Sequence, residues 1–81
     1  MRELLALIPE NSRKFIAFLC ENDALHSLSQ ISHYLRLSHV TTRRIAYEFQ
    51  SLGFVKSYDI GRAKIVMPTE KLKEVCNALA Q

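Results

Sequence analysis

An α+β fold, mainly helical, is what this chain of 81 residues predicts. Three observations carry that reading. Two short amphipathic helices follow one another with almost no connection across residues 27–53. Two β-rich runs bracket a turn signal directly afterwards, over 54–67. A last helical stripe closes the chain from Pro68 onward.

Met1–Ile8 is apolar through Leu4, Leu5, Leu7 and Ile8 and is expected to form a turn of helix. Pro9 ends that turn or opens the next element, since proline fits the first helical turn. The first main helix then runs to about Glu21. Ser12, Phe15, Ile16 and Leu19 share one face, and Phe18 and Cys20 broaden it. So wide an apolar surface implies contact with more than one other element. Residues 22–26 connect to the next helix, with room for a short strand at Ala24–His26.

Ser27-Leu28-Ser29-Gln30 matches a capping box, serine at the cap and glutamine three residues on. A helix of two to three turns follows, striped by Leu28, Ile31 and Leu35. Leu35-Arg36-Leu37-Ser38 is a tight corner in which Leu37 plugs the gap between two helices. Ser38 caps the next helix, because its hydroxyl can accept from an orphan backbone N–H of the first turn. That helix spans 39–52 and stops at Gly53, which tolerates the left-handed conformation a helix exit needs. Thr42, Ile45, Ala46, Phe49 and Leu52 form its buried stripe. The opposite face carries Val40, Arg43, Arg44, Tyr47, Gln50 and Ser51, with Glu48 to one side. A cationic face with aromatic and amide groups suits the edges and phosphates of a nucleic-acid duplex.

Two short helices joined by about three residues describe a helix-turn-helix. Phe54–Tyr58 and Arg62–Met67 then read as strands around an Asp59-Ile60-Gly61 turn. Pro68-Thr69-Glu70-Lys71 opens the terminal helix, 68–81, whose stripe is Leu72, Val75, Cys76 and Leu79.

The stretch from Ser27 to Gly53 resembles the helix-turn-helix of bacterial and archaeal winged-helix regulators of the MarR and ArsR sort. Ile31, Ser32, Leu35, Leu37, Ser38, Thr41, Arg44, Phe49 and Gly53 stand on that pattern's positions. Arg36 replaces the usual turn glycine, and Thr42 stands where valine is commoner. The basic hairpin after Gly53 extends the resemblance over residues 12–67. It implies a winged helix-turn-helix: a three-helix core within 9–67, a short wing at 54–67, and a terminal helix 68–81 of one domain, 1–81. In many such regulators the terminal helices build a two-fold dimer. Applied here, that points to Leu4, Leu5, Ile8, Leu72, Val75 and Leu79 as a homodimer interface, since one small domain has little room to bury both ends; for the terminal helix alone, packing back on the first helix stands equally open.

Charge placement agrees with a nucleic-acid surface. The chain carries +3 overall. Residues 26–67 hold six cations against two anions, whereas the two ends hold five cations against six anions. No apolar run approaches the ~20 residues a membrane span needs, and Met1–Ile8 is too short for a signal peptide. An intracellular, cytoplasmic protein is expected. Cys20 and Cys76 read as two buried thiols, with a disulfide open if the source is a hyperthermophile.

Catalytic constellations do not emerge. There is no glycine-rich phosphate loop and no nucleophile with a recognisable base. His26, His33 and His39 do not fall at i, i+4, and no Cys-x-x-Cys occurs, so no metal site and no cofactor are expected. The expected function is sequence-specific binding of double-stranded DNA in transcription regulation, not enzymatic. The helix 39–52 enters the major groove, and the wing meets the backbone or minor groove. The expected DNA-binding residues are Ser27, Ser38, His39, Val40, Thr41, Arg43, Arg44, Tyr47, Gln50, Lys56, Arg62 and Lys64. A winged-helix protein-interaction module and a non-specific chromatin-type or RNA binder are the alternatives.

Overall fold

The computed structural model describes residues 8–22 and 24–79. In chain order its elements are α1 (Glu10–Glu21), β1 (His26–Ser27), α2 (Leu28–Leu35), α3 (His39–Ser51), β2 (Val55–Ile60), β3 (Ala63–Pro68) and α4 (Glu70–Leu79). The strands form one antiparallel sheet in the order β1-β3-β2. This is the predicted helix-turn-helix, wing and closing helix, and the predicted mainly helical α+β class.

The core lies where the stripes converge. Ser12, Phe15, Ile16, Phe18 and Leu19 of α1 are all buried, as the broad face required. Leu28 and Ile31 of α2, then Ile45, Ala46 and Phe49 of α3, meet them, and Val55, Val66 and Leu72 close the cluster. The Phe15 and Phe49 rings meet edge-on with centroids 5.4 Å apart. That arrangement sets the positive ring edge against the negative face. Thr42 is fully buried too, and its hydroxyl donates to the Ser38 carbonyl at 2.9 Å.

The capping box forms as the sequence spelled it. Gln30 N–H donates to Ser27 Oγ, and Ser27 N–H donates to Gln30 Oε1. Ser27 also ends β1, where it pairs with Ile65. The corner after α2 is a Schellman ending: Arg36 N–H donates to His33 O and Leu37 N–H to Ser32 O. That geometry puts Arg36 at φ 57, ψ 41, the left-handed region. A side chain there costs roughly 1–2 kcal/mol relative to the right-handed helix, which is why glycine is the usual choice.

Four features differ from expectation. Helix α3 ends at Ser51, so Leu52 leaves the stripe and is 52 % exposed. The hairpin is longer than predicted: its turn is Gly61-Arg62, not residues 59–61, because Asp59 and Ile60 continue the ladder opposite Lys64 and Ala63. Gly61 has φ 60 at the first turn position, where a two-residue type II′ turn wants glycine. Pro68 does not open a helix; it is the last residue of β3, at a strand end where a missing N–H is tolerated.

The fourth concerns the cysteines, which are not buried free thiols. Cys20 of α1 and Cys76 of α4 form a disulfide, their Cα atoms 5.5 Å apart. Helix packing, not sequence separation, brings them together.

Candidate nucleic-acid interface

Helix α3 buries one face and leaves the other open. Ser38 sets its start: Ser38 Oγ accepts from Thr41 N–H at 3.1 Å and donates to Thr41 Oγ1 at 2.9 Å. These two candidate DNA contacts therefore satisfy one another. On the open face, Val40, Arg43, Arg44, Tyr47, Glu48 and Ser51 line a shallow depression, with Val40 79 % exposed.

The cations on this face differ in their partners. Arg44 pairs with Glu48 one turn on, at 3.2 Å. The Arg43 guanidinium lies 3.3 Å from His39 Nε2. Among the described residues no carboxylate meets Arg43. An exposed i, i+4 pair is weak, about 0.3–0.5 kcal/mol, so a phosphate can compete for Arg44. Arg43 needs no such exchange.

The wing is tied to α3 by three of the candidates. Ser57 Oγ donates to Gln50 Oε1 at 2.8 Å. Lys64 Nζ bridges to Asp59 at 3.1 Å and stands 5.8 Å from the centre of the Tyr47 ring. Gln50, Tyr47 and Lys64 thus form the helix–wing joint, which holds the hairpin at a set angle. Lys56 and Arg62 are exposed, and among the described residues neither meets a carboxylate. Arg62 occupies the tip, in the turn itself. Lys56 points to the face of β2 away from Ser57, since side chains alternate along a strand.

Two structural residues are not legible as such in the sequence. Thr69, not Pro68, precedes the last helix. Its hydroxyl donates to Gly53 O at 2.6 Å and lies 3.1 Å from Phe54 O, and its own N–H also reaches Phe54 O. Lys71 Nζ adds a bond to Leu52 O at 2.8 Å. Together they seal the exit of α3 to the start of α4. The available signal was the preference of threonine for a helix cap.

The expected dimer residues separate into three groups. Leu4 and Leu5 lie outside the described residues. Leu72 is fully buried in the chain's own core and has no surface to offer a partner. For this residue the intramolecular alternative holds and the dimer expectation is corrected: α4 spends that side chain on the chain's own core. Ile8, Val75 and Leu79 are partly exposed. No helix among the described residues is long and apolar enough to cross a membrane.

Comparison with known proteins places this geometry. The sequence matches no family model and no curated protein. Its structure is similar to several solved ones. A protein of Archaeoglobus fulgidus superposes with a TM-score of 0.80 at 18 % identity, over 96 % of this chain and 89 % of that one. A MarR protein of Peptoclostridium difficile gives 0.78 at 23 % identity, over 96 % and 52 %. Reduced HlyU of Vibrio cholerae gives 0.74 at 18 %, over 94 % and 79 %. A MarR-family transcriptional regulator of Silicibacter pomeroyi gives 0.75 at 16 %, over 94 % and 54 %. The fold is the winged helix-turn-helix that these proteins share. The chain spans about half the length of the two MarR proteins.

Proposed function

We propose that this chain is a transcriptional regulator that binds specific sites on double-stranded DNA. One observation carries the reading: the open face of α3 presents Arg43, which among the described residues meets no carboxylate, beside exposed Val40, with Arg62 at the tip of the adjoining wing and Lys56 on the wing's outer face. Helix α3 enters the major groove, where Arg43 reads a guanine edge and Val40 meets a thymine methyl. Arg44 leaves Glu48 for a phosphate. His39, Ser38 and Thr41 stand at the groove end of the helix, and Arg62 at the wing tip reaches the backbone or minor groove. Ser27 offers the capped end of α2 to a phosphate.

The reading includes a homodimer, with Ile8, Val75 and Leu79 at its seam. The setting is intracellular, which is compatible with the Cys20–Cys76 bond in a hyperthermophile, whose internal proteins retain disulfides.

The test is an anisotropy titration against duplex DNA at two salt concentrations, then selection of a preferred site from a random pool. Binding should weaken log-linearly with salt, because phosphate contacts release counterions. Arg43→Ala should cost about 1–3 kcal/mol on the selected site and relax the preference at one base pair. Unchanged affinity and preference in that variant would remove Arg43 from the groove.

A second reading, docking of a protein partner, is favoured by the outer face of the wing. There Tyr58, Ile60, Ala63, Ile65 and Met67 share one side with Lys56 by strand alternation, with Tyr58 47 % and Ile60 63 % exposed. It predicts no duplex binding even at low salt.

A further inference from the structure

The corner between α2 and α3 carries a residue that its backbone does not favour. Arg36 is the one non-glycine residue with positive φ among those described. Glycine or asparagine would occupy φ 57 more comfortably. The corner itself is held by other groups: the two Schellman bonds and the packing of Leu37 against the core. Neither uses the arginine side chain. Arg36 is exposed, and among the described residues it meets no carboxylate and makes no side-chain hydrogen bond. The carbonyl end of α2 favours a cation at this spot, but at an exposed site that attraction is screened and does not offset the backbone strain.

A strained, unpaired cation calls for a ligand outside the chain. Its place identifies the ligand. Arg36 lies two residues before Ser38, the cap of α3. The Arg43–His39 pair stands one to two turns beyond it at the same end of that helix. We infer that Arg36 is a phosphate contact: its guanidinium grips the DNA backbone where the chain turns into the recognition helix. The inference rests on the DNA-binding reading above. It adds a residue whose charge is used for position rather than for base choice, since phosphate contacts carry no sequence information directly.

The inference separates stability from binding. Arg36→Gly relieves the strain, and Arg36→Lys keeps both the strain and the charge. Thermal melts and salt-dependent titrations of the parent and both variants against a random-sequence duplex test it. Arg36→Gly should raise the melting temperature by roughly 2–8 °C, the strain relief less the entropy glycine adds to the unfolded chain. The same variant should bind roughly five- to tenfold more weakly near 0.1 M salt, with a log–log salt slope shallower by about 0.9. Arg36→Lys should stay within about twofold of the parent, with the parent's slope.

If Arg36→Gly binds as tightly as the parent with an unchanged slope, Arg36 touches no phosphate. Weakening without a slope change points to the shape of the corner and overturns the inference as well. So does an Arg36→Lys variant as weak as Arg36→Gly. A parent that binds no duplex sinks the DNA-binding reading itself, and this contact with it. A parent that binds alongside an indifferent Arg36→Gly sinks only the contact.

Discussion

At the scale of single residues, the interface is decided by which charges are already engaged. Glu48 is the one anion on the open face of α3, and it holds Arg44 at 3.2 Å. It repels an approaching phosphate and occupies a cation at once. Glu48→Gln should therefore tighten duplex binding several-fold and steepen the salt slope, while stability changes by no more than about 0.5 kcal/mol. Weaker binding in that variant would mean that the pair orients Arg44 for its contact. Thr42 poses a different question. Its buried hydroxyl shares the Ser38 carbonyl with the Thr42 backbone N–H. Removing the hydroxyl leaves that carbonyl satisfied, so Thr42→Val should alter stability by less than about 0.5 kcal/mol in a urea melt. A loss of 1.5 kcal/mol or more, about what a made hydrogen bond contributes, would show that the hydroxyl matters on its own.

Periodic and capping signals made the elements readable in the sequence, because they act locally. The stripe Thr42, Ile45, Ala46, Phe49 dictates which side of α3 faces inward, and Ser27 and Ser38 mark two helix starts. Pairing across distance was not readable. Nothing near Asp59 announces that it faces Lys64, or that Gln50 would be used by Ser57 instead of lying free. Three expected DNA contacts (Tyr47, Gln50 and Lys64) thus serve the helix–wing joint as well. Cys20 and Cys76 were ambiguous for the same reason, since 56 residues separate them. Closing a loop of that length removes unfolded-state entropy worth about 4 kcal/mol in the chain-entropy account, with less delivered if the native bond is strained. The bond staples α4 onto α1. A thiol reductant, or the Cys20→Ala Cys76→Ala double variant, should lower stability by roughly 2–4 kcal/mol. Coincident melts with and without reductant would mean that the bond is not made in solution. The joint sealed by Thr69 should remain, because its bonds reach Gly53 and Phe54 rather than α1.

On the DNA-binding reading the whole molecule places recognition helices on the duplex, and α4 is the deciding element. A regulator that reads a two-fold site presents its two α3 helices about one turn of the duplex apart. The apolar stripe of α4 could supply that seam or pack inside the chain; Leu72 is buried in the core and Cys76 is bonded to Cys20. Among the described residues, what remains of the expected seam is Ile8, Val75 and Leu79. Stable interfaces bury about 800 Å² per partner, so a seam built on these three partly exposed side chains alone predicts a weak dimer that DNA assembles. Sedimentation should show a mass that shifts toward the dimer in the micromolar range, and earlier when a palindromic duplex is present. Leu79→Glu should leave the monomer folded, since the residue sits at the last turn of α4. It should abolish the cooperative second binding step while keeping the salt slope per monomer. Sedimentation of the parent as a monomer at every concentration, with single-step binding to a palindrome, rules out the dimer. The recognition face of α3 would then act alone, and specificity would rest on a single half-site, with Arg43 and the wing tip carrying it.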